Sequence, residues 1–417
     1  MKIIEVLFIC LAIIIWIALI YNLILIYFGY KYFLEMNSIK NNYLNNMTYF
    51  PEVTILIPGH NEEKVIGDTL EAMAKIDYPK DKITIFFIND NSSDNSSIIF
   101  NRFKASGNYS NFFMLETTKE NGGKGKSGAL NYGLNFVKTD YLLVYDSDCI
   151  PEANAIKILV KTIVDGKYGA VVGKFRTRNK EKNLLTKMIN IEGLSFQWLA
   201  QGGRGKLMGL STIPGTNYII DVKDLKKVGG FDLRALAEDT EISIKLYKIG
   251  KKIKFMPLAV AWEQEPETLK VFIKQRTRWI EGNLYVLFKY WKTNPFNPNN
   301  RYFVDIFSYF LIYILFLFSV LASHGIMLRN IFFNQKLNIE GSINAIWFLS
   351  FILYLISVSI TLSFERGELN KKSFWIIVLS YFTYSQLWLF ISVKALLKYI
   401  KEKILKKEIT WYKTERF

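Results

Sequence analysis

The stretch Tyr141-Leu142-Leu143-Val144-Tyr145-Asp146-Ser147-Asp148 runs apolar and then stops on two carboxylates separated by one small side chain. A short continuous apolar run of this kind reads as a strand buried on both faces. Similar runs surround it. Residues 53–58 end on Pro58, residues 83–88 end before Asn89-Asp90, and residues 112–115 and 170–172 are two more. Between the first two lies a helical stretch opened by Asn61-Glu62-Glu63 and reaching about residue 76. Strands alternating with helices in this way predict an α/β fold with a largely parallel sheet covered on both faces. In such sheets ligands bind beyond the carboxyl ends of the strands. Asn61, Asp90 and Asp146 fall at those ends, so they are expected to share one site.

The flanks differ from this centre. Hydrophobic residues make up 50% of the 417-residue chain and aromatic residues 16%, with the excess at the two ends. Residues 3–28 are apolar except for Glu5 and Asn22, which is long enough to span a bilayer. The run is too long for the apolar part of a signal peptide, and no small-residue cleavage site follows it. Three further apolar stretches, 303–328, 343–362 and 374–397, each approach span length. The expected division is an anchor over 1–30, a soluble domain over 51–295, a membrane region over 301–397 and a basic tail over 398–417. Lysines after Tyr30 put the soluble domain inside, yet three C-terminal spans would then leave the Lys-rich tail outside. An interfacial or re-entrant stretch among the three would remove that conflict.

The formal net charge of +16 suits anionic lipid headgroups and an anionic nucleotide. Nucleic acid is the rival partner for such a charge, but the sequence carries no nucleic-acid-binding module or ribonucleoprotein aromatic motif. With two Cys and two His, a disulfide framework and a Cys or His metal site are excluded in practice. Any metal is left to carboxylates, which points to magnesium or manganese.

Several short motifs can carry chemistry. Asp146-Ser147-Asp148 at a strand end can present both carboxylates to one divalent cation that bridges a diphosphate, although such a triplet alone is also a common surface turn. Asp90 can accept hydrogen bonds from a base or ribose, within an Asn, Ser and Asp run that also suits a turn. Asp94 reads better as a helix cap. The glycine-rich stretch 121–129 lacks Walker spacing, which disfavours a P-loop nucleoside triphosphatase, but Lys126 at a helix start can hold a diphosphate. Asp239 of Glu238-Asp239, in a stretch 231–249 that looks helical, can act as a general base or simply complement a helix N-terminus. Thr268 can cap a helix that carries Gln275-Arg276-Thr277-Arg278-Trp279 and runs to about residue 290. On it Gln275, Arg278 and Trp279 share one face. That face offers an amide, a guanidinium fork for phosphate and a flat ring for the apolar side of a sugar.

The ordered set of Pro58-Gly59-His60-Asn61-Glu62-Glu63, Asp90, the stretch 125–131, Asp146-Ser147-Asp148, Gly215-Thr216-Asn217, Val228-Gly229-Gly230-Phe231-Asp232, Glu238-Asp239 and the 275–279 pentad resembles family 2 glycosyltransferases with a GT-A fold. The likeness is to the membrane-integrated subgroup that includes cellulose, chitin, hyaluronan and poly-N-acetylglucosamine synthases. It covers about residues 53–283 and the flanking apolar stretches. It implies a mostly parallel nucleotide-sugar-binding sheet inserted between transmembrane helices, one N-terminal and about three C-terminal. Under it Glu62 and Asp90 would contact the uridine, and Lys126 would lie near the diphosphate. Asp146 and Asp148 would bind the nucleotide and an Mg2+ or Mn2+ ion, with Asp148 the direct ligand. Asp239 would be the catalytic base, with Glu238, Gly215, Thr216 and Asn217 also at the substrate. Gln275 and Arg278 would close over the diphosphate, and Trp279 would form the floor for the acceptor sugar. Two positions depart from the pattern. Ala237 replaces the usual Thr before Glu238, which removes a supporting hydroxyl and leaves the base, and Asn89 stands where a second Asp often precedes Asp90.

The implied reaction is an inverting displacement from a UDP-sugar that elongates and secretes a β-linked glycan. Its setting would be the plasma membrane of a bacterium, with a multi-pass chain and a cytosolic catalytic domain. Implied partners are the UDP-sugar, a growing glycan or lipid acceptor, membrane lipids, and accessory subunits of a synthase or export complex. Tyr302, Phe303, Tyr309, Phe310, Trp347, Trp375, Tyr381, Tyr384 and Trp388 are available to line a product path, or simply to face lipid. Single transfer to a membrane lipid is the alternative. A silent nucleotide-sugar sensor ranks lower, because it would be expected to have lost acids that are all present.

Overall fold

Ile3–Ile39 form one helix, α1, in the computed structural model, which describes residues 3–45, 47–118, 120–291, 316–333, 343–405 and 415. The helix continues past the anchor expected to end at residue 30, because its last turns belong to the domain. Tyr32 and Met36 are buried in the same core as the sheet, and the Tyr32 hydroxyl donates to the Phe255 carbonyl. The π-helical segment Gln197–Gly203 crosses α1 almost backbone to backbone. A Cβ on Gly29 would lie 2.7 Å from the Trp198 carbonyl oxygen, and one on Gly203 would lie 2.3 Å from that of Leu25. Small residues at both crossings let the helix seat directly on the domain.

The strands β1 (Val53–Gly59), β2 (Ile83–Asn89), β3 (Phe112–Glu116) and β4 (Tyr141–Val144) lie in the order β3-β2-β1-β4 and are all parallel. Val53 stands opposite both Ile83 and Tyr141, so the strands are in register and their carboxyl ends form one edge. Every residue of β1 is buried, as a central strand with helices on both faces requires. The connecting helices are α2 (Ile66–Ala74), α3 (Ser96–Ala105) and α4 (Gly125–Leu134).

Past β4 the sheet becomes mixed. Beyond the short β5 (Ile150–Pro151) and the helix α5 (Ala155–Gly166) come β6 (Ala170–Thr177), β7 (Tyr218–Asp221) and β8 (Ile253–Glu263). The order continues β4-β7-β6-β8-β5, with β7 antiparallel to both neighbours, β5 antiparallel to β8, and β6 parallel to β8. The largely parallel expectation therefore holds only for the first half. Between β6 and β7 the chain forms α6 (Leu184–Phe196), the π-helical segment and α7 (Arg204–Met208) against α1. It leaves and re-enters the sheet at the same end, so β7 must run back along β6. That return delivers Gly215 and Thr216 to the carboxyl end of β4. It also explains Asn217. The β6–β8 register shifts between Gly173 and Lys174, and the Asn217 amide donates to the Lys174 and Ala259 carbonyls at 3.0 Å each.

After α8 (Val222–Lys227) the stretch 231–237 is irregular rather than helical, since Gly229 and Gly230 both take positive φ. Helix α9 (Glu238–Lys248) starts on Glu238 itself. Helix α10 (Leu269–Trp291) follows Thr268, whose hydroxyl accepts from the Val271 N–H at 3.4 Å.

The C-terminal helices are α11 (Phe316–Phe332), α12 (Ile343–Ser363), α13 (Lys371–Phe382) and α14 (Tyr384–Ile404). Residues 292–315 and the tail 406–414, including Tyr302, Phe303, Tyr309 and Phe310, lie outside the described residues. Among the described residues Ile3–Ile39 and Lys371–Ile404 are long and apolar enough to cross a membrane, and Phe348–Ser363 is a shorter apolar helix. Three C-terminal spans are thus not confirmed. The last stretch breaks at Thr383, and α14 lies along α10, where Phe288 stacks on Tyr399 at 5.6 Å and Lys398 pairs with Glu281 at 2.8 Å.

The linker between α12 and α13 is held to the domain by charge. Glu365 accepts from Lys174 at 2.6 Å, Arg176 at 3.0 Å and the Trp198 indole at 3.1 Å. Glu368 accepts from Arg176, from Lys180 at 2.6 Å and from Asn190 at 2.9 Å.

Candidate active site

A cleft of about 890 Å³ opens at the carboxyl edge of the sheet. Glu62, Asp90, Lys126, Asp146, Asp148, Gly215, Thr216, Glu238, Asp239, Gln275, Arg278 and Trp279 all line it. Of the residues expected at the substrate only Asn217 stands apart, buried in the sheet by the bonds just described.

One wall of the cleft is built by strand ends. Asp90 follows β2, and its Oδ1 accepts from the Thr117 hydroxyl at 2.8 Å and the Gly123 N–H at 2.9 Å. Two donors fix the orientation of that carboxylate. Glu62 is held through its backbone, whose N–H donates to Ser96 Oγ at 2.8 Å. Asp94 accepts from the N–H of Ser96, the first residue of α3, at 3.0 Å. Asp146 follows β4, and its N–H donates to the Thr216 hydroxyl at 2.9 Å, which ties the carboxylate pair to the returning 215–217 turn.

Charge concentrates where these walls meet. Lys126 lies 2.5 Å from Asp146 Oδ1 and 3.7 Å from Glu238 Oε1, and it donates to the Gly215 carbonyl at 2.7 Å. Burial opposes its charge, but Asp146, Glu238 and Asp239 outweigh that and hold its pKa above the ordinary lysine value. Gly215 has φ 101°, and a Cβ there would lie 3.1 Å from Asp239 Oδ2 and 3.5 Å from Lys126 Nζ, so the turn needs glycine. Burial pushes the Glu238 carboxyl up to about 7 against the pull of Lys126, and Asp239 adds to the push. Burial also raises Asp239, against Lys126, the Thr240 N–H and Arg278. Asp239 Oδ1 accepts from that N–H at 2.7 Å.

Three residues of the cleft escaped the sequence reading. Glu192 lies within α6, away from any strand end or short motif. Arg276 belongs to the 275–279 pentad and pairs with Glu192. Glu263 closes β8 much as Asp146 follows β4, so an acid ending an apolar run was the signal available. Its Oε1 is sealed from solvent with no hydrogen-bond partner among the described residues. Burial, then Asp148, Glu265 and Asp146, push its pKa well above the carboxylate range.

The acids around Asp146 and Asp148 are an oxygen-only donor set. Among the described residues no group of three or more His, Cys, Asp or Glu is arranged to hold a metal unaided. A pair of carboxylates with room beside it fits magnesium or manganese, which keep water and ligand phosphates in their coordination shell. Asp146 and Asp148 would be the holders.

Past Trp279 the cleft continues between the C-terminal helices, bordered by Tyr354 of α12 and by Tyr384, Ser385 and Trp388 of α14. Of the aromatic residues expected along a product path, Tyr384 and Trp388 are here, while Trp375 is 68% exposed on the outside.

Residues 51–282 match the family described as "Glycosyltransferase like family 2". The chain is 45% identical over 404 residues to the Bacillus subtilis protein named "Probable glycosyltransferase YdaM", across 97% of this chain and 96% of that one. It is 33% identical over 278 residues to the poly-beta-1,6-N-acetyl-D-glucosamine synthase of Staphylococcus aureus, across 66% of this chain and 65% of the synthase. In fold it is similar to a mannosyltransferase from Pyrobaculum calidifontis solved with GDP-Man and Mn2+, with a TM-score of 0.59 at 18% identity over 93% of this chain and 99% of that one. A mixed sheet with acids gathered at its carboxyl edge agrees with that kinship: the chain belongs to glycosyltransferase family 2 and is a hexosyltransferase on a GT-A-like fold.

Proposed function

We propose that this chain takes a sugar from a UDP-sugar and adds it, with inversion, to a growing β-linked glycan. The observation that carries the reading is that Asp239 and Trp279, on two different helices, border one cleft that runs on between the C-terminal helices. N-acetylglucosamine is the first sugar to test, since the 33% identical relative is a poly-beta-1,6-N-acetyl-D-glucosamine synthase.

In this reading Glu62 and Asp90 hold the uridine, and Gln275, Arg278 and Lys126 hold the diphosphate. Trp279 offers its ring to the acceptor sugar. Asp239 takes the proton of the acceptor hydroxyl as that oxygen bonds to the anomeric carbon. The bond from that carbon to the diphosphate oxygen breaks, and UDP leaves with the electron pair. Such a base contributes roughly a hundred- to ten-thousandfold. Fixed cations at the leaving group act where charge develops and cost no reorganisation, so Lys126 and Arg278 carry at least as much. A divalent cation held by Asp146 and Asp148 would add further neutralisation of the leaving diphosphate.

The setting we infer is a bacterial plasma membrane, with α1 as an anchor and the domain on the cytosolic side. The packing of α14 along α10 supports an interfacial place for the stretch 374–397, which would also keep the basic tail inside. The test is to incubate the purified full chain with each UDP-sugar and to size the product. A polymer that lengthens with time is expected from UDP-N-acetylglucosamine. A product limited to one or two sugars on a lipid would replace polymerisation by single transfer.

A further inference from the structure

The reaction as proposed gives Arg276 no task, yet it is the most buried residue of the pentad, at 2% exposure. Its guanidinium makes three contacts at once. One arm donates to Gln275 Oε1 at 2.8 Å. The other donates to Glu192 Oε2 on α6 at 3.1 Å, with Glu265 at 4.0 Å. Its Cζ sits over the Trp279 ring, 3.9 Å from the ring centre, with the Phe272 ring centre at 5.1 Å. Trp279 is 39% exposed and borders the cleft, so Arg276 backs the ring and leaves area open for a ligand. The chain of contacts goes further. Glu192 also accepts from the hydroxyl of Tyr384, the first residue of α14, and Trp388 lies 6.0 Å from the guanidinium.

We propose that Arg276 is a positioning residue for the acceptor. It sets the spacing between Gln275, on the leaving diphosphate, and Trp279, under the acceptor sugar. Glu192 and Tyr384 tie that spacing to α14, which borders the path beyond. The role needs arginine: a planar fork can bond two partners while its flat face stacks, and an ammonium cannot. The sensitivity follows from catalysis itself, because reacting atoms must be held at about 3–3.5 Å and a shift of about 1 Å can cost roughly a hundredfold. The inference rests on the reading of Gln275 and Trp279 given above.

The test uses the full chain in detergent with UDP-N-acetylglucosamine and short β-1,6-linked N-acetylglucosamine oligosaccharides as acceptors. Arg276→Lys keeps a cation beside Glu192 but loses the fork and the stack. Its acceptor KM is expected to rise by up to about a hundredfold, with shorter products. Its UDP affinity by calorimetry, which in this reading Lys126 and Arg278 also support, is expected to change far less than the acceptor KM, the split that distinguishes positioning from general damage. Tyr384→Phe removes only the hydroxyl on Glu192 and is expected to raise acceptor KM about threefold, the worth of one hydrogen bond. An unchanged acceptor KM in both variants, or donor and acceptor KM rising together, overturns the role. If Arg276→Lys does not fold, Tyr384→Phe decides by the same acceptor KM and product lengths. A parent chain that binds no UDP would instead overturn the reading of the site beneath this one.

Discussion

Lys126, at the start of α4, and Asp146, just past β4, form an ion pair of 2.5 Å with 17% and 32% of their side chains exposed. The pair exists because α4 begins over the carboxyl edge where β4 ends. It leaves one cation serving several acids, since Glu238 is also 3.7 Å away. A donor diphosphate arriving at Lys126 and a divalent cation arriving at Asp146 would exchange partners across this pair.

Lys126→Met removes that cation. The pair with Asp146 is only part-buried, so the main loss is the charge-assisted hydrogen bond to an arriving diphosphate, worth about 1.5–3 kcal/mol. UDP affinity measured by calorimetry is expected to fall at least about tenfold. Unaltered UDP binding in this variant would take Lys126 away from the diphosphate.

Asp239→Asn keeps the shape of the side chain and loses the base. Transfer is expected to drop roughly a hundred- to ten-thousandfold, while UDP binding persists. Wild-type turnover in the variant would strip Asp239 of the role.

The acids predict opposite pH trends for activity and stability. Burial raises both Asp239 and Glu238, the latter up to about 7 from an ordinary value of 4.5. Asp239 must lose its proton to act and burial raises its pKa, so transfer at saturating donor is expected to increase, not decline, as pH rises from acid toward pH 8. In the folded chain these acids bind protons more tightly than in the unfolded one. For Glu238 that contribution to stability is therefore complete below the unfolded value and fades as pH climbs through about 7, and Asp239 acts in the same direction. Donor-free protein should melt at a lower temperature at pH 8 than at pH 6. Activity that declines over the same interval contradicts the assignment of the base.

Chelation should abolish transfer, and manganese or magnesium should restore it. Asp148→Asn is expected to weaken the dependence of UDP affinity on added metal, read by calorimetry with and without manganese. Equal metal dependence in the variant and the parent would argue against Asp148 as a ligand.

Glu365→Gln leaves Lys174 and Arg176 short of a buried carboxylate. Breaking a buried ion pair on one side costs about 3–5 kcal/mol. The variant should melt several degrees lower in detergent, and UDP affinity of the folded fraction should be retained. An unchanged melting temperature would mean that the linker between α12 and α13 is not an anchor.

The strand runs 53–58, 83–88, 112–115 and 141–145, the ends they share and the face formed by Gln275, Arg278 and Trp279 were all legible in the sequence, because each depends on neighbours a few residues away. Periodicity says which residues lie together on one element, and strand polarity says at which edge a parallel sheet binds. The tertiary structure alone decided that β7 runs antiparallel, that Asn217 plugs a register shift instead of lining the cleft, that Glu263 closes β8 beside Asp148, and that Arg276 bridges Gln275, Glu192 and Trp279. Each of these depends on segments far apart in the chain meeting across a bulge, a strand end or a helix crossing. No local pattern encodes such a meeting, because packing geometry between elements sets it after the elements themselves are formed.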